Sequence, residues 1–254
     1  MTRPTLAQLR AVCQPAVTMN RRSGEHWLAR LWLRRVSLRI TAVLIRTPVT
    51  ANQLTTVMIL VGLLAAAAAA LPGLIWALVA ALLVLTYFLL DLCDGEVARW
   101  RGATSVTGVY LDRVGHYLVE AALLIGYGLR AGGQEVGGWT TLGCLGALLV
   151  VLVKSETDLV DVARARAGLR SATDHQAEIR VQGIGRLRRS ASALHVHQIT
   201  GAVESVSLLV VAAAVDAWRG DLFFTRTLLV ILVTVAAVMV VLHLASILLS
   251  RRLS

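Results

Sequence analysis

Eight ionisable residues stand at the ends of two long apolar stretches: Asp91, Asp94, Glu96, Arg99, Asp112, Arg113, His116 and Glu120. A carboxylate in a transmembrane helix is costly, so such groups usually face a cavity and serve a function. At about 100° per residue, Asp91, Asp94, Gly95, Ala98 and Arg99 fall on one helical face, while Glu96 and Val97 point elsewhere. Gly108, Asp112 and His116 are spaced i, i+4, i+8 and form a second stripe. The connection between them, Trp100–Val106, is short, so the two helices are expected to be antiparallel neighbours with converging stripes. Aspartates brought together in this way repel unless a cation sits among them. Carboxylate oxygens suit Mg²⁺, Mn²⁺ or Ca²⁺, ions that commonly bridge protein carboxylates to substrate phosphates. Gly95 and Gly108 would let a bulky group approach the backbone. The bland alternative is a buried ion-pair network, Asp91 and Asp94 with Arg99, and Asp112 with Arg113.

The rest of the chain indicates what must position these groups. Of 254 residues, 57% are apolar and only 16% are charged, and mean hydropathy is +0.71. Soluble domains run at about 45–50% apolar and about 25% charged, so composition excludes most soluble classes and disorder. Runs such as Val57–Leu71 and Leu74–Leu90 carry no charge. About 20 apolar residues span a hydrocarbon core. Six spans are expected, near 53–71, 73–93, 106–129, 137–154, 200–217 and 224–249. They should be helices, because a helix satisfies its own backbone in lipid, and the runs do not alternate as barrel strands do. The expected fold is therefore all-α: a polytopic membrane protein, a six-transmembrane-helix bundle with an N-terminal interfacial amphipathic helix.

Net charge is +10. In a membrane chain this reads as the positive-inside bias, not as nucleic-acid binding. Nine arginines precede the first span, Arg99 and Arg101 follow the second, Lys154 and seven arginines occupy 154–189, and Arg251 and Arg252 close the chain. The opposite turns hold only Arg130, Arg219 and Arg226. Both termini, the turn near 100 and a loop over about 155–199 are expected in the cytoplasm, which makes the chain a cell-membrane protein with a cytoplasmic active site. Residues 1–50 form a cytoplasmic N-terminal segment and 51–254 the membrane domain. Residues 1–20 are expected to be loose, and His26–Arg46 to lie in the interface as a basic amphipathic helix. Residues 1–25 contain no apolar h-region, so no cleavable signal peptide is expected. Cys13, Cys93 and Cys144 lack metal spacing and read as packing residues.

The run Asp91-Leu-Cys-Asp94-Gly95-Glu-Val-Ala98-Arg99, followed by Gly108, Asp112 and His116 after eight, three and three residues, resembles the signature of the CDP-alcohol phosphotransferases, D-x2-D-G-x2-A-R-x8-G-x3-D-x3-D. Seven of its eight fixed positions are present. Pro48–Thr55 resembles, more weakly, the approach to the family's first span. The resemblance implies that an acceptor hydroxyl attacks the β-phosphorus of a CDP-alcohol donor, CDP-diacylglycerol or a CDP-polyol, releasing CMP. It implies Asp91, Asp94 and Asp112 as ligands of Mg²⁺ or Mn²⁺. It implies Asp94, Gly95, Ala98, Arg99 and Gly108 as the nucleotide pocket, membrane lipids as surroundings and a homodimer as the usual state. The departure is His116, where the family has its fourth Asp, the general base. Imidazole can accept a hydroxyl proton at neutral pH but is a poorer Mg²⁺ ligand than carboxylate. The alternatives are another base, or a degenerate paralogue that binds nucleotide without turnover.

Weaker candidates are Lys154 and Arg164 for the acceptor, with Glu156 and Asp158 near its entrance and Arg166, Arg170, Arg186, Arg188 and Arg189 on the basic loop. Part of that loop, Asp158–Leu169, is expected to be helical. His195 and His197 are expected in a loop, Glu204 toward a cavity, and His243 as a satisfied bundle residue. A transporter lined by the same stripe is the rival class. It would spread polar residues through both membrane halves, whereas these aspartates cluster toward one surface.

Overall fold

The computed structural model describes residues 4–15, 32–169, 200–250 and 253. Among these residues there are eight helices and no strand. They are α1 (Leu6–Cys13), α2 (Arg34–Leu44), α3 (Ala51–Ala70), α4 (Leu74–Arg101), α5 (Val106–Ala131), α6 (Gly138–Arg166), α7 (Ala202–Arg219) and α8 (Phe223–Leu249). The last six coincide with the six expected spans. Four of them, α3, α4, α6 and α8, are long and apolar enough to cross a membrane, which fits a multi-pass membrane protein. The other two carry charges at intervals along their length: Asp112, Arg113, Glu120 and Arg130 on α5, and Glu204, Asp216 and Arg219 on α7. α6 continues well past residue 154, to Arg166, so the first part of the expected loop is helical, in line with the helix expected over Asp158–Leu169. Arg170, Arg186, Arg188, Arg189, His195 and His197 lie outside the described residues.

The chain forms two compact units. The first comprises residues 1–64 and 82–118. The expectation that residues 1–20 are loose is corrected over Leu6–Cys13, where α1 is a capped and anchored helix; residues 1–3 and 16–20 lie outside the described residues. The Thr5 hydroxyl accepts from the Gln8 N–H at 3.2 Å, and the Gln8 side chain accepts from the Thr5 N–H at 2.8 Å, a reciprocal capping box. Leu9 and Cys13 then bury with Leu38 of α2, against Trp100. The expected interfacial helix is also altered. Its residues 26–31 lie outside the described residues, and α2 buries Ser37, Leu38 and Thr41. Two of those three are hydroxyl side chains, so the inward face of α2 is not simply its apolar one. The other side leaves Arg35 and Arg39 exposed.

The second unit comprises residues 65–81 and 119–254. Its helices approach closely at small residues, as helices in lipid do. A Cβ on Gly126 of α5 would come within 2.6 Å of the Ala66 carbonyl of α3, and one on Gly143 of α6 within 2.6 Å of the Leu124 carbonyl of α5. Polar pairs tie the helices together: Tyr127 to Ser205 at 3.0 Å, Thr157 to His243 at 2.9 Å, and Lys154 to Glu120 at 2.8 Å. The His243 contact matches the expectation of a satisfied bundle residue. The arginines of the opposite turns are also engaged. Arg130 donates to the carbonyls of Leu71 and Gly73, and Arg226 donates to the Ala131 carbonyl and stacks over Trp139. Arg219 pairs with Asp221 at 3.1 Å.

Candidate functional site

All the motif residues belong to the first unit. α4 ends at Arg101, Gly102 takes a left-handed φ of +61°, and α5 begins at Val106. The turn is short, as expected, and it returns the chain so that α5 runs beside α4. Asp91 on α4 meets Asp112 and His116 on α5. His116 Nε2 lies 3.3 Å from Asp91 Oδ1 and 3.4 Å from Asp112 Oδ1. Each of the three residues offers one ligand atom, and these atoms all lie within 4.8 Å of one another. The side chains stay partly open, with 20% exposure for Asp91, 39% for Asp112 and 27% for His116.

The other ring nitrogen of His116 is also engaged: Nδ1 lies 2.6 Å from the Tyr87 hydroxyl. The two rings meet edge to face, with centroids 5.8 Å apart. Tyr87 is nearly buried, so its hydroxyl is a fixed point that aims Nε2 at the two carboxylates. Sequence reasoning missed Tyr87. It stands four residues before Asp91 and so on the same helical stripe, but an aromatic in an apolar run reads as core.

Asp94 is turned differently. It is buried, and its Oδ2 accepts from the Thr55 hydroxyl of α3 at 2.5 Å. It is not in the group formed by Asp91, Asp112 and His116. Asn52, one turn before Thr55, comes to the other stripe: a Cβ on Gly108 would lie 2.9 Å from Asn52 Oδ1 and 3.2 Å from Ser105 Oγ. Gly108 thus leaves the space that Asn52 occupies. The weakly marked stretch Pro48–Thr55 supplies both α3 residues.

Arg99 folds back along α4. A Cβ on Gly95 would meet its Nη1 at 3.1 Å and its Nη2 at 3.3 Å. Its Nε donates to the Cys13 carbonyl at 2.7 Å. In the network envisaged as the bland alternative, Arg99 would pair with Asp91 and Asp94; in the fold Asp91 faces His116 and Asp94 faces Thr55. Ala98 is half-buried on the same stretch. Glu96 does point away from the stripe, into a fully buried position facing α1 and α2.

The candidates for the acceptor belong to the second unit. Lys154 is paired with Glu120, Arg164 is buried on α6, and Glu156 is buried nearby in sequence with one carboxylate oxygen lacking a partner. Glu204 lies in the first turn of α7. Of the three free cysteines, Cys13 and Cys93 are buried, as packing residues are, and Cys144 is exposed.

Two carboxylates and an imidazole nitrogen, converging on one point and partly open, form a donor set suited to a divalent cation. A family model described as CDP-alcohol phosphatidyltransferase matches residues 48–174, half of the 254-residue chain. The match starts just before Asn52 and contains every residue of the motif. Comparison with curated proteins finds no match.

Proposed function

The chain belongs to the CDP-alcohol phosphatidyltransferase family, and from that premise we propose that it moves a phosphatidyl or phosphoalcohol group from a CDP-alcohol to an acceptor hydroxyl. The family acts in lipid synthesis and depends on divalent metal. The observation that carries the reading is the convergence of Asp91, Asp112 and His116 within 4.8 Å inside the matched stretch.

In the proposed reaction the acceptor oxygen bonds to the β-phosphorus, the bond from that phosphorus to the bridging oxygen breaks, and CMP leaves with the electron pair. Asp91 and Asp112 would hold Mg²⁺ or Mn²⁺, with Asp94, which accepts from the Thr55 hydroxyl, as the third carboxylate. A cation held there would supply positive charge against the diphosphate and the departing CMP. Arg99, lying over Gly95, contacts a donor phosphate through a charge-assisted hydrogen bond. Ala98 and Gly108 give the nucleotide room. With Asp91 and Asp112 turned to a cation instead of to His116, Nδ1–H would donate to the Tyr87 hydroxyl and the Nε2 lone pair would be free to take the acceptor proton. Lys154 and Arg164 are the acceptor-side cations of this reading, although Lys154 already shares its charge with Glu120.

In the same reading α5 and α7 complete six spans, with their charges turned from lipid. Both termini and the α4–α5 turn face the cytoplasm, where CDP donors are made, and Arg35 and Arg39 of α2 rest on anionic headgroups. The test is CMP release from CDP-diacylglycerol and from a water-soluble CDP-polyol, with acceptor hydroxyls supplied in turn. Donor binding without CMP release from any pairing favours the nucleotide-binding paralogue instead.

A further inference from the structure

The motif leaves the position of Glu96 open, yet Glu96 is one of the most completely buried side chains of the protein. A buried carboxylate is costly unless it is paired and hydrogen-bonded, and this one is richly served. Its Oε1 accepts from Gln14 Nε2 at 2.8 Å and from the Ser37 hydroxyl at 2.7 Å, and Arg34 Nη1 lies 3.7 Å away. Its Oε2 accepts from the Thr41 hydroxyl at 2.8 Å. Its backbone carbonyl accepts from Cys13 Sγ at 3.4 Å. One residue of α4 therefore grips both the end of α1 and the inner face of α2.

The grip leads to Arg99. Gln14, held by Glu96, directly follows Cys13, whose carbonyl receives Arg99 Nε at 2.7 Å. Cys13 ends α1. The last carbonyls of a helix have no partner within it and carry its negative pole, so a guanidinium is a fitting partner there. With Nε occupied, Nη1 and Nη2 lie over Gly95.

We propose that Glu96 is a positioning residue for Arg99: by pinning the C-terminal end of α1 to α4, it holds the Cys13 carbonyl where that carbonyl aims the Arg99 guanidinium at an anionic group of the donor. The inference rests on the reading of Arg99 as a donor-phosphate contact. It assigns a role in donor binding to α1 and α2, which precede the stretch that matches the family. A guanidinium binds phosphate through a planar fork, and a fork tied at Nε has fewer orientations to lose on binding.

The experiment is a double-mutant cycle on the full-length protein in lipid nanodiscs: wild type, Glu96→Ala, Arg99→Ala and the pair. Donor Kd is measured with CDP-diacylglycerol, and kcat as CMP release. Glu96→Ala is expected to weaken donor binding roughly tenfold in the Arg99 background and less than about twofold once Arg99 is already Ala, the non-additivity of residues acting as one unit. Glu96→Gln, which keeps an oxygen for Gln14 and Ser37, should recover most of the loss. A second readout needs no activity. In the wild type the Cys13 thiol is buried, and burial, with Glu96 nearby, pushes it up to about 11, so maleimide should modify it slowly. In Glu96→Ala its labelling, resolved by mass spectrometry, should quicken at least about tenfold. Equal loss of donor affinity in both backgrounds overturns the proposal, as does faster Cys13 labelling with unchanged donor Kd. A wild type that binds donor but releases no CMP overturns the transfer reading alone, because the Kd cycle still decides the role of Glu96. A wild type that binds no donor overturns both.

Discussion

His116 is held at both ring nitrogens, by Tyr87 at Nδ1 and by Asp91 and Asp112 at Nε2. Its position one turn beyond Asp112 makes it the residue on which the proposed chemistry turns. His116→Ala should lower turnover by roughly 10²–10⁴-fold, the usual contribution of a general base, with donor binding retained. His116→Asp restores the motif and should keep part of the activity. Its rate should fall off at lower pH than that of the wild type, because a carboxylate keeps its proton-accepting form to lower pH than imidazole does. The check is CMP release against pH for the three proteins, with donor affinity measured separately. The carboxylates carry a different expectation. Asp91→Asn and Asp112→Asn should each weaken Mn²⁺ binding by at least roughly tenfold, the low end seen even for an outer partner of a metal site. Mn²⁺ titration followed by electron paramagnetic resonance reads this directly. The meeting of Asp91, Asp112 and His116 was legible because they lie within 26 residues on two adjacent helices; helical spacing did not reveal that Asp94 turns to Thr55 or that Tyr87 holds His116. Glu96 was not legible: its partners Gln14, Ser37 and Thr41 stand 82, 59 and 55 residues away in the chain, and nothing in its local pattern names them.

At the scale of elements, charge in the apolar helices has specific structural work. Asp216 of α7 is buried and accepts from the N–H groups of Phe224 and Thr225 at 2.8 Å each. It thus caps α8 from outside, serving donors that the first turn of a helix cannot satisfy itself. Asp216→Ala should reduce stability by about 1.5–3 kcal/mol, the range for hydrogen bonds to a charged group, read as a lower denaturation midpoint in detergent. Arg130 and Arg226 serve the carbonyls of Leu71, Gly73 and Ala131 in the same manner. The helices themselves were legible from hydropathy to within a few residues at most ends. The continuity of α6 to Arg166 was not, because a helix that runs beyond the apolar stretch leaves no hydropathy signal, although the helix expected over Asp158–Leu169 is largely present as its last turns. α1 was missed for a related reason: its eight residues are too few for periodicity to speak, and its stability comes from a capping box and from burial of Leu9 and Cys13.

For the whole molecule, the uneven arginine distribution is the basis of the proposed orientation. The three arginines that run against it, Arg130, Arg219 and Arg226, are each committed to a carbonyl, a carboxylate or an aromatic ring. They are explained by structure, so they do not weaken the orientation bias. The proposed orientation is tested with Val106→Cys at the α4–α5 turn and Val136→Cys at the α5–α6 turn, both highly exposed, in a Cys144→Ala background. In intact cells an impermeant thiol reagent should label the second and spare the first, and the reverse pattern would invert the orientation. The most direct test of the account is CMP release itself. Purified protein is given CDP-diacylglycerol or a CDP-polyol, a set of hydroxyl acceptors, and either Mg²⁺ or Mn²⁺. The account predicts acceptor-dependent CMP release that stops in excess chelator, returns with the cation and is almost lost in Asp91→Asn; release that continues unchanged in chelator and in Asp91→Asn would contradict it.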